Sequence, residues 1–404
     1  MKKIIVMAST YQQAKFFVRL SKVMANMDIY IEAYTIEYSA YRYFKKNDIK
    51  AYIPRLDINY KVTKNGNIDY DKTIEVLTRR MDKDQCMRLY DAIYKSIREN
   101  HADVHIEGII IWNGLNVEHR AAADFAHENG IKVLFMELAN IPGKLFADRQ
   151  GTNAHSELFD NINILDKYEI NIKEYCSWIN DYLQFKKDQI NVPQAKHKYT
   201  DISVKVLLDV LGYFCITHTG YSRMYIKERL YKLLGNMQSR FKYDTYDYKE
   251  NKNKYIFLPL QVSYDTQVVI NSDISVFESL KYAIKYAIKE NKVLVVKPHP
   301  QESDAWIIKK LLELKNDKDF ILVNDNTYNI IENAYSVITI NSTVGLEGLL
   351  QRKKVQFLGR SFYSKMNDDQ LMKYVLGYLI NIDFYDENKE ISEKEVRRLL
   401  NRMN

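Results

Sequence analysis

Apolar residues along this chain alternate between short β-branched runs and longer stretches of helical period. In the first half, Ile4 to Ser9, Ile29 to Ala33, Gly108 to Trp112 and Lys132 to Met136 are compact apolar runs of the kind that form buried strands. Between them, Gln12 to Ala25 places Phe16, Phe17, Leu20, Val23 and Met24 at helical spacing. Met81 to Glu99 predicts a second helix, and Glu118 to Asn129 an Ala-rich one closed by Gly130. Strands alternating with helices predict a parallel sheet with helices on its faces, a Rossmann-like opening. The loop Ala8 to Lys15 has no Gly-x-Gly-x-x-Gly, so the dinucleotide fingerprint is missing.

The same alternation returns after residue 254. Tyr255 to Leu260, Lys292 to Lys297 and Ser336 to Ile340 read as strands, with helices over Ile274 to Glu290 and Ala305 to Lys315. Val355 to Leu358 predicts a further strand, and Met366 to Ile380 and Ser392 to Arg402 two closing helices. Between the halves, Asp166 to Gln189 predicts a helix, Asn191 to Lys198 the linker, and Ile202 to Phe241 a helical stretch. The expected organisation is an N-terminal Rossmann-like domain over 1–190, a helical connector over 191–254, and a C-terminal Rossmann-like domain over 255–404.

Bulk properties narrow the class. The 404 residues exceed what one core usually serves, and 46% hydrophobic with 27% charged residues is ordinary for a globular protein. No run reaches the ~18 apolar residues of a bilayer span, and the start reads as a buried first strand, not a signal peptide. Three widely spaced cysteines, Cys86, Cys176 and Cys215, suggest neither a disulfide framework nor a metal knuckle, and point to the cytoplasm. The net charge of +7 is a mild bias. The 202–241 stretch mixes Arg223, Lys227, Arg229, Lys232 and Arg240 with Tyr213, Phe214, Tyr221, Tyr225 and Tyr231. That composition suits anionic lipid headgroups; it equally suits the outer face of a helical hairpin. No pattern supports nucleic-acid binding, and no Asp-x-Asp metal motif lies at a strand end.

The chemistry gathers where the second-half strands end. The first opens into Gln261-Val262-Ser263-Tyr264-Asp265, the second (through Lys297) into Pro298-His299-Pro300, and the third into Asn341-Ser342-Thr343-Val344-Gly345-Leu346-Glu347. Ligands of parallel sheets bind beyond the carboxyl ends of strands, so Asp265, His299 and Ser342 are expected on one rim. Ser342 or Thr343 can cap the following helix, whose free N–H groups favour an anion, which predicts a phosphate beside them. Glu347, one turn on, can reach a nucleotide ribose or stand as a solvated helix residue. His299 between two prolines is a hydrogen-bond donor to a phosphate or carboxylate oxygen, or a turn histidine bonded to backbone, and Asp265 a cleft carboxylate or a helix cap.

These segments resemble a family. Lys-Pro-His-Pro, the Asn-Ser-Thr-Val-Gly-Leu-Glu-Gly-Leu run and the Pro-Leu-Gln-x3-Asp element look like the bacterial capsule polysaccharide β-Kdo transferases of the KpsS/KpsC type. Trp112-Asn113-Gly114 and the 135–156 segment, with Glu137, Asn140-Ile141-Pro142-Gly143-Lys144 and Asp148-x2-Gly151-x-Asn153, fit the KpsS-like branch. The resemblance implies a GT-B-type architecture, two Rossmann-like domains facing across a cleft. It implies a retaining, metal-independent glycosyltransferase that moves β-Kdo from CMP-Kdo, with no other cofactor. The acceptor would be a phosphatidylglycerol-type lipid or Kdo-lipid, met at the inner face of the inner membrane, with other capsule assembly proteins as partners.

By that resemblance Asp265 is the nucleophile, His299 a donor-phosphate contact, and Glu137 the base toward the acceptor with Asp148 in reserve. Gln261, Lys297, Asn341, Ser342, Thr343, Glu347, Asp148 and Asn153 line the substrates. A teichoic-acid-type glycerophosphotransferase using CDP-glycerol and a non-catalytic glycan-binding or capsule-assembly protein are the alternatives.

Overall fold

The computed structural model describes residues 2–56, 61–63, 66, 68–78, 80–188, 204–212, 243–300, 302, 305–317 and 320–404. Most of the expected connector, including the basic aromatic stretch apart from the helix Val204–Gly212, lies outside them. The chain forms two compact units. One comprises Met1–Asn161, Lys198–Arg229 and Tyr378–Asn404, the other Ile162–His197 and Leu230–Gly377. The division follows the sheets rather than a single cut in the sequence.

The first unit is built on a six-stranded sheet: β1 (Lys2–Met7), β2 (Ile29–Tyr34), β3 (Ala51–Tyr52), β4 (Gly108–Trp112), β5 (Lys132–Leu138) and β6 (Leu145–Asp148), ordered β3-β2-β1-β4-β5-β6. All neighbours pair in parallel except β5 and β6. Residues of β1 alternate between two cores: Ile4 and Val6 join Phe16, Phe17 and Trp112, whereas Ile5 and Met7 join Tyr90, Ile93 and Phe125. The sheet is therefore covered on both faces, which is why β4 can be apolar throughout. Each fully buried isoleucine there, Ile109, Ile110 and Ile111, contributes about 1.5–3 kcal/mol.

The segment after β5 turns back onto the sheet. Leu145, Phe146 and Ala147 are buried, and the turn through Gly143 (φ 73°) brings them back as β6, with Phe135 opposite Asp148 and Glu137 opposite Phe146. Four residues are too short a run to show a period. The far edge of β6 is closed by the C-terminal segment, where Leu145 and Ile380 exchange backbone bonds at 2.9 and 3.0 Å. Ile382, Phe384, Val396 and Leu399 complete the same core, and Phe384 lies 4.7 Å from the Trp112 ring.

The second unit carries β7 (Tyr255–Pro259), β8 (Val293–Lys297), β9 (Ile321–Leu322), β10 (Ser336–Thr339) and β11 (Lys354–Phe357), all parallel in the order β11-β10-β7-β8-β9. Ile256 and Leu258 face one core, Tyr255 and Phe257 the other. Both units are thus Rossmann-like α/β folds, the class expected from the alternation of periods. The expected helix over Met366 to Ile380 is broken: Asp368–Lys373 is α-helical, and Tyr374–Tyr378 widens into a π turn. At Gly377 a Cβ would stand 2.6 Å from Tyr168 Cβ, so the backbone comes too close to Tyr168 for any side chain there.

Candidate functional site

In the second sheet the chain leaves β7 to build β8 and β9 on one side, then returns to place β10 on the other. The point of divergence between β7 and β10 is where such sheets open a crevice. Gln261, just past β7 and 8% exposed, accepts the backbone N–H of Asn341 through Oε1 at 2.8 Å. Asn341 in turn donates from Nδ2 to the carbonyls of Gln267 (3.0 Å) and Asn271 (2.8 Å). Gln261 Oε1 and Asn341 Nδ2 thus hold the two strand ends and the 261–271 loop in register, while Asn341 Oδ1 is buried without a partner among the described residues. Arg360 braces the same loop through both oxygens of Asp273 (2.7 Å each) and the Ile270 carbonyl (2.6 Å).

On that frame Asp265 is exposed, and its Oδ1 accepts the backbone N–H of Gln267 at 2.8 Å, capping the short helix Thr266–Val269. The capping alternative raised by the sequence is real, but the helix is this four-residue turn; the longer helix Val276–Lys289 is capped by Ser275. His299 is half-buried beyond β8. Burial pushes its imidazole below the ordinary range; nearby Asp265 opposes that shift, and Lys297 adds to it. Glu302 stands outside the motifs of the sequence. It is buried, accepts the Ser263 N–H at 2.9 Å, and donates its own N–H to the His299 carbonyl at 3.0 Å, locking the β7 and β8 loops together. Its signal was a carboxylate three residues after the histidine.

Ser342 caps the helix Thr343–Leu350, its Oγ accepting Val344 N–H at 3.2 Å. Gly345 and Gly348 share the face turned to the sheet, where a Cβ would stand 2.4 Å from the Phe357 ring or 2.8 Å from Val355 Cγ2. The spacing of these glycines lets the helix lie close on β10 and β11. Glu347 is 7% exposed, so the solvated alternative fails; Lys186 donates to its Oε1 at 2.6 Å. Lys297 Nζ donates to the Asp325 carbonyl (2.6 Å) and Thr327 Oγ1 (2.9 Å), and burial lowers its basicity against the opposing charges of Glu347 and Asp325.

In the first unit, Glu137 lies within β5, one residue short of its end, and Oε2 accepts from Asn153 Nδ2 at 2.6 Å. Asn153 adopts φ 53°, a left-handed conformation that asparagine tolerates. Asp148 has a different task. Buried to 3%, it accepts the backbone N–H groups of Gln150, Gly151, Glu157 and Leu158 and the Tyr378 hydroxyl, at 2.8 to 3.3 Å. Five donors fix it as the organiser of the 148–158 loop.

The divergence point of the first sheet, between β1 and β4, is occupied by the protein itself. Ser9 Oγ donates to Glu118 Oε1 at 2.7 Å and lies 2.9 Å from His119 Nε2. The start of the helix Tyr11–Ala25 is satisfied by Gln13 Oε1, which accepts the Ser9 and Thr10 N–H groups, and by Glu37 Oε2, which accepts that of Tyr11. Burial and the nearby Asp209 push the Glu37 carboxyl up to about 8. Among the described residues no group of three or more His, Cys, Asp or Glu is placed to hold a metal ion.

Two Rossmann-like units, one with a polar rim at its strand ends, define an α/β protein of two largely parallel-sheet halves. The chain belongs to the family of capsule polysaccharide biosynthesis proteins, whose family model matches residues 107–367. It is 32% identical over 123 residues to the capsule polysaccharide modification protein LipB of Neisseria meningitidis, covering 27% of this chain and 29% of LipB. To the protein FixF of Sinorhizobium fredii it is 30% identical over 153 residues, covering 31% of this chain and 37% of FixF. The chain thus spans well under half of either curated relative. Among solved structures it is similar to the KpsC beta Kdo 2,7 transferase of Thermosulfurimonas dismutans (18% identity, TM-score 0.38, 76% of this chain and 88% of that one). It is also similar to the UDP-GlcNAc 2-epimerase of Methanocaldococcus jannaschii (12% identity, TM-score 0.31, 99% of each).

Proposed function

We propose that this protein is a retaining glycosyltransferase of capsule biosynthesis, which moves β-Kdo from CMP-Kdo to a phosphatidylglycerol-type lipid. The observation that carries the reading is the pairing of an exposed Asp265 with a half-buried, weakly basic His299 on one rim. Asp265 attacks the anomeric carbon, forming a glycosyl ester as the bond to the CMP phosphate breaks; two such inversions restore the configuration. The departing phosphate meets His299 at the strand-end rim, beside the start of the helix Thr343–Leu350. Glu137, oriented by Asn153, takes the proton of the acceptor hydroxyl as that oxygen displaces Asp265. This chemistry asks for no resident metal or cofactor. The acceptor places the enzyme at the inner face of the inner membrane as a peripheral protein, alongside other capsule assembly proteins. Among the described residues no helix is long and apolar enough to cross a membrane.

Incubation with CMP-Kdo and a fluorescent lysophosphatidylglycerol tests the reading. A Kdo-modified lipid is expected. Turnover of CDP-glycerol in its place would make the protein a glycerophosphotransferase, and binding of CMP-Kdo without product a non-catalytic assembly factor.

A further inference from the structure

The helix Ile172–Lys187 carries no residue that the sequence marks as functional, yet its last turn is tied into the rim of the second sheet. The carbonyls of Lys186 and Lys187 accept from Asn326 Nδ2 at 3.5 and 3.1 Å. The residues on either side of Asn326, Asp325 and Thr327, hold Lys297 at the end of β8. Glu347, close enough to support the charge of Lys297, takes the Lys186 ammonium on Oε1 and so closes a ring of contacts.

Glu347 is 7% exposed, and Lys186, itself 20% exposed at its side chain, is the opposing charge placed against it. The pair is incomplete in one respect. Buried carboxylates fill their acceptor sites, as Asp148 does with five donors, whereas among the described residues no donor reaches Glu347 Oε2. A carboxylate fixed by a lysine on one oxygen, with no described donor on the other, and carried one turn into the helix that Ser342 caps at the rim, is prepared for a hydroxyl-bearing ligand. A ribose offers such hydroxyls.

We propose that Lys186 is a positioning residue that presents Glu347 to the ribose hydroxyls of the donor nucleotide, and thereby makes the site prefer a ribonucleotide to its 2′-deoxy analogue. The proposal rests on the reading that the donor nucleotide binds at the strand ends of the second sheet. It assigns the 172–187 helix a part in donor selection.

Calorimetric titration of the full-length protein with CMP and with 2′-deoxy-CMP tests this. The unaltered protein is expected to favour CMP by roughly tenfold to a hundredfold, the worth of a hydrogen bond to a charged acceptor. Lys186→Met should abolish that preference by weakening CMP while leaving 2′-deoxy-CMP nearly unchanged, and Lys186→Arg should restore part of it. A merely structural role would weaken both nucleotides by the same factor, and that result, or an unchanged ratio, overturns the proposal. Should Lys186→Met fail to fold by circular dichroism, Asn326→Ala loosens the same turn without touching Glu347; an unchanged ratio there is equally fatal. If the unaltered protein binds neither nucleotide, the donor reading falls and takes this inference with it. If it binds CMP but Lys186→Met discriminates normally, only this inference falls.

Discussion

Gln261 Oε1 accepts the backbone N–H of Asn341 at 2.8 Å, a bond across 80 residues that joins the ends of β7 and β10 at the divergence point of the second sheet. Gln261→Leu keeps the bulk of the side chain and leaves that buried N–H without its acceptor, which costs about 1–3 kcal/mol. Thermal denaturation should show the loss. Because the same bond ties the loop of Asp265 to the strand end before Ser342, CMP affinity should fall as well. A variant with lowered melting temperature and full affinity would show that the rim tolerates the break.

His299 makes a prediction about pH. Its imidazole is held below the ordinary range by burial, so it is neutral in the free protein at pH 7. A bound phosphate stabilises the charged form and draws a proton onto it. CMP affinity should therefore rise as pH falls from 7 toward the free-protein value, with proton uptake visible in calorimetry across buffers of different ionisation enthalpy. His299→Ala should weaken CMP tenfold to a hundredfold, about 1–3 kcal/mol, and remove the part of the uptake that exceeds the phosphate's own. Equal uptake in both proteins would take His299 off the phosphate.

Much of this arrangement is legible in the sequence because period and punctuation carry it. The alternation of strand and helix periods identifies both sheets, and the polar residues that interrupt each apolar run mark the rim holding Asp265, His299 and Ser342. Other parts have no local signal. β6 is four residues long, and its partners, Glu137's strand and Ile380, are set by tertiary contact. Gln261 and Asn341 have side chains suited equally to a ligand or to a carbonyl, and only the fold decides. Lys186 carries no local mark beyond its place in the last turn of a helix, and its partner Glu347 lies 161 residues away.

The first sheet gives a stability test independent of any ligand. His119 is 2% exposed against Ser9, and burial depresses its imidazole to about 3. The unfolded chain binds a proton near the ordinary value of 6.5 while the folded protein does not, so stability is held above 6.5 and falls as pH drops toward 3. The slope from this residue alone is about 1.4 kcal/mol per pH unit. His119→Gln lacks the titration, so its melting temperature should fall less steeply between pH 6 and 4 than that of the unaltered protein. Parallel curves would mean that His119 is charged in the fold.

Asp148 and Glu137 should separate by phenotype. Asp148→Asn replaces one acceptor oxygen with a donor in a pocket of five donors, so a backbone N–H or the Tyr378 hydroxyl loses its partner. The cost should be about 2–4 kcal/mol, read by denaturant titration, with CMP affinity per folded molecule unchanged. A stable Asp148→Asn protein would return Asp148 to the candidates for the base.

The sharpest test concerns Asp265. Its Oδ1 caps the Thr266–Val269 turn, and an asparagine can keep that bond, so Asp265→Asn should fold and bind CMP as the unaltered protein does. It cannot form the glycosyl ester, and transfer should fall by several orders of magnitude. Glu137→Gln keeps the contact with Asn153 through its amide oxygen but cannot accept a proton. The first displacement should then proceed while acceptor attack slows, and a Kdo adduct should accumulate when CMP-Kdo is supplied. Intact-protein mass spectrometry reads the mass of that adduct, and peptide mapping its position. An adduct on another residue, or near-normal turnover by Asp265→Asn, would remove Asp265 from the chemistry and favour a displacement without a covalent intermediate.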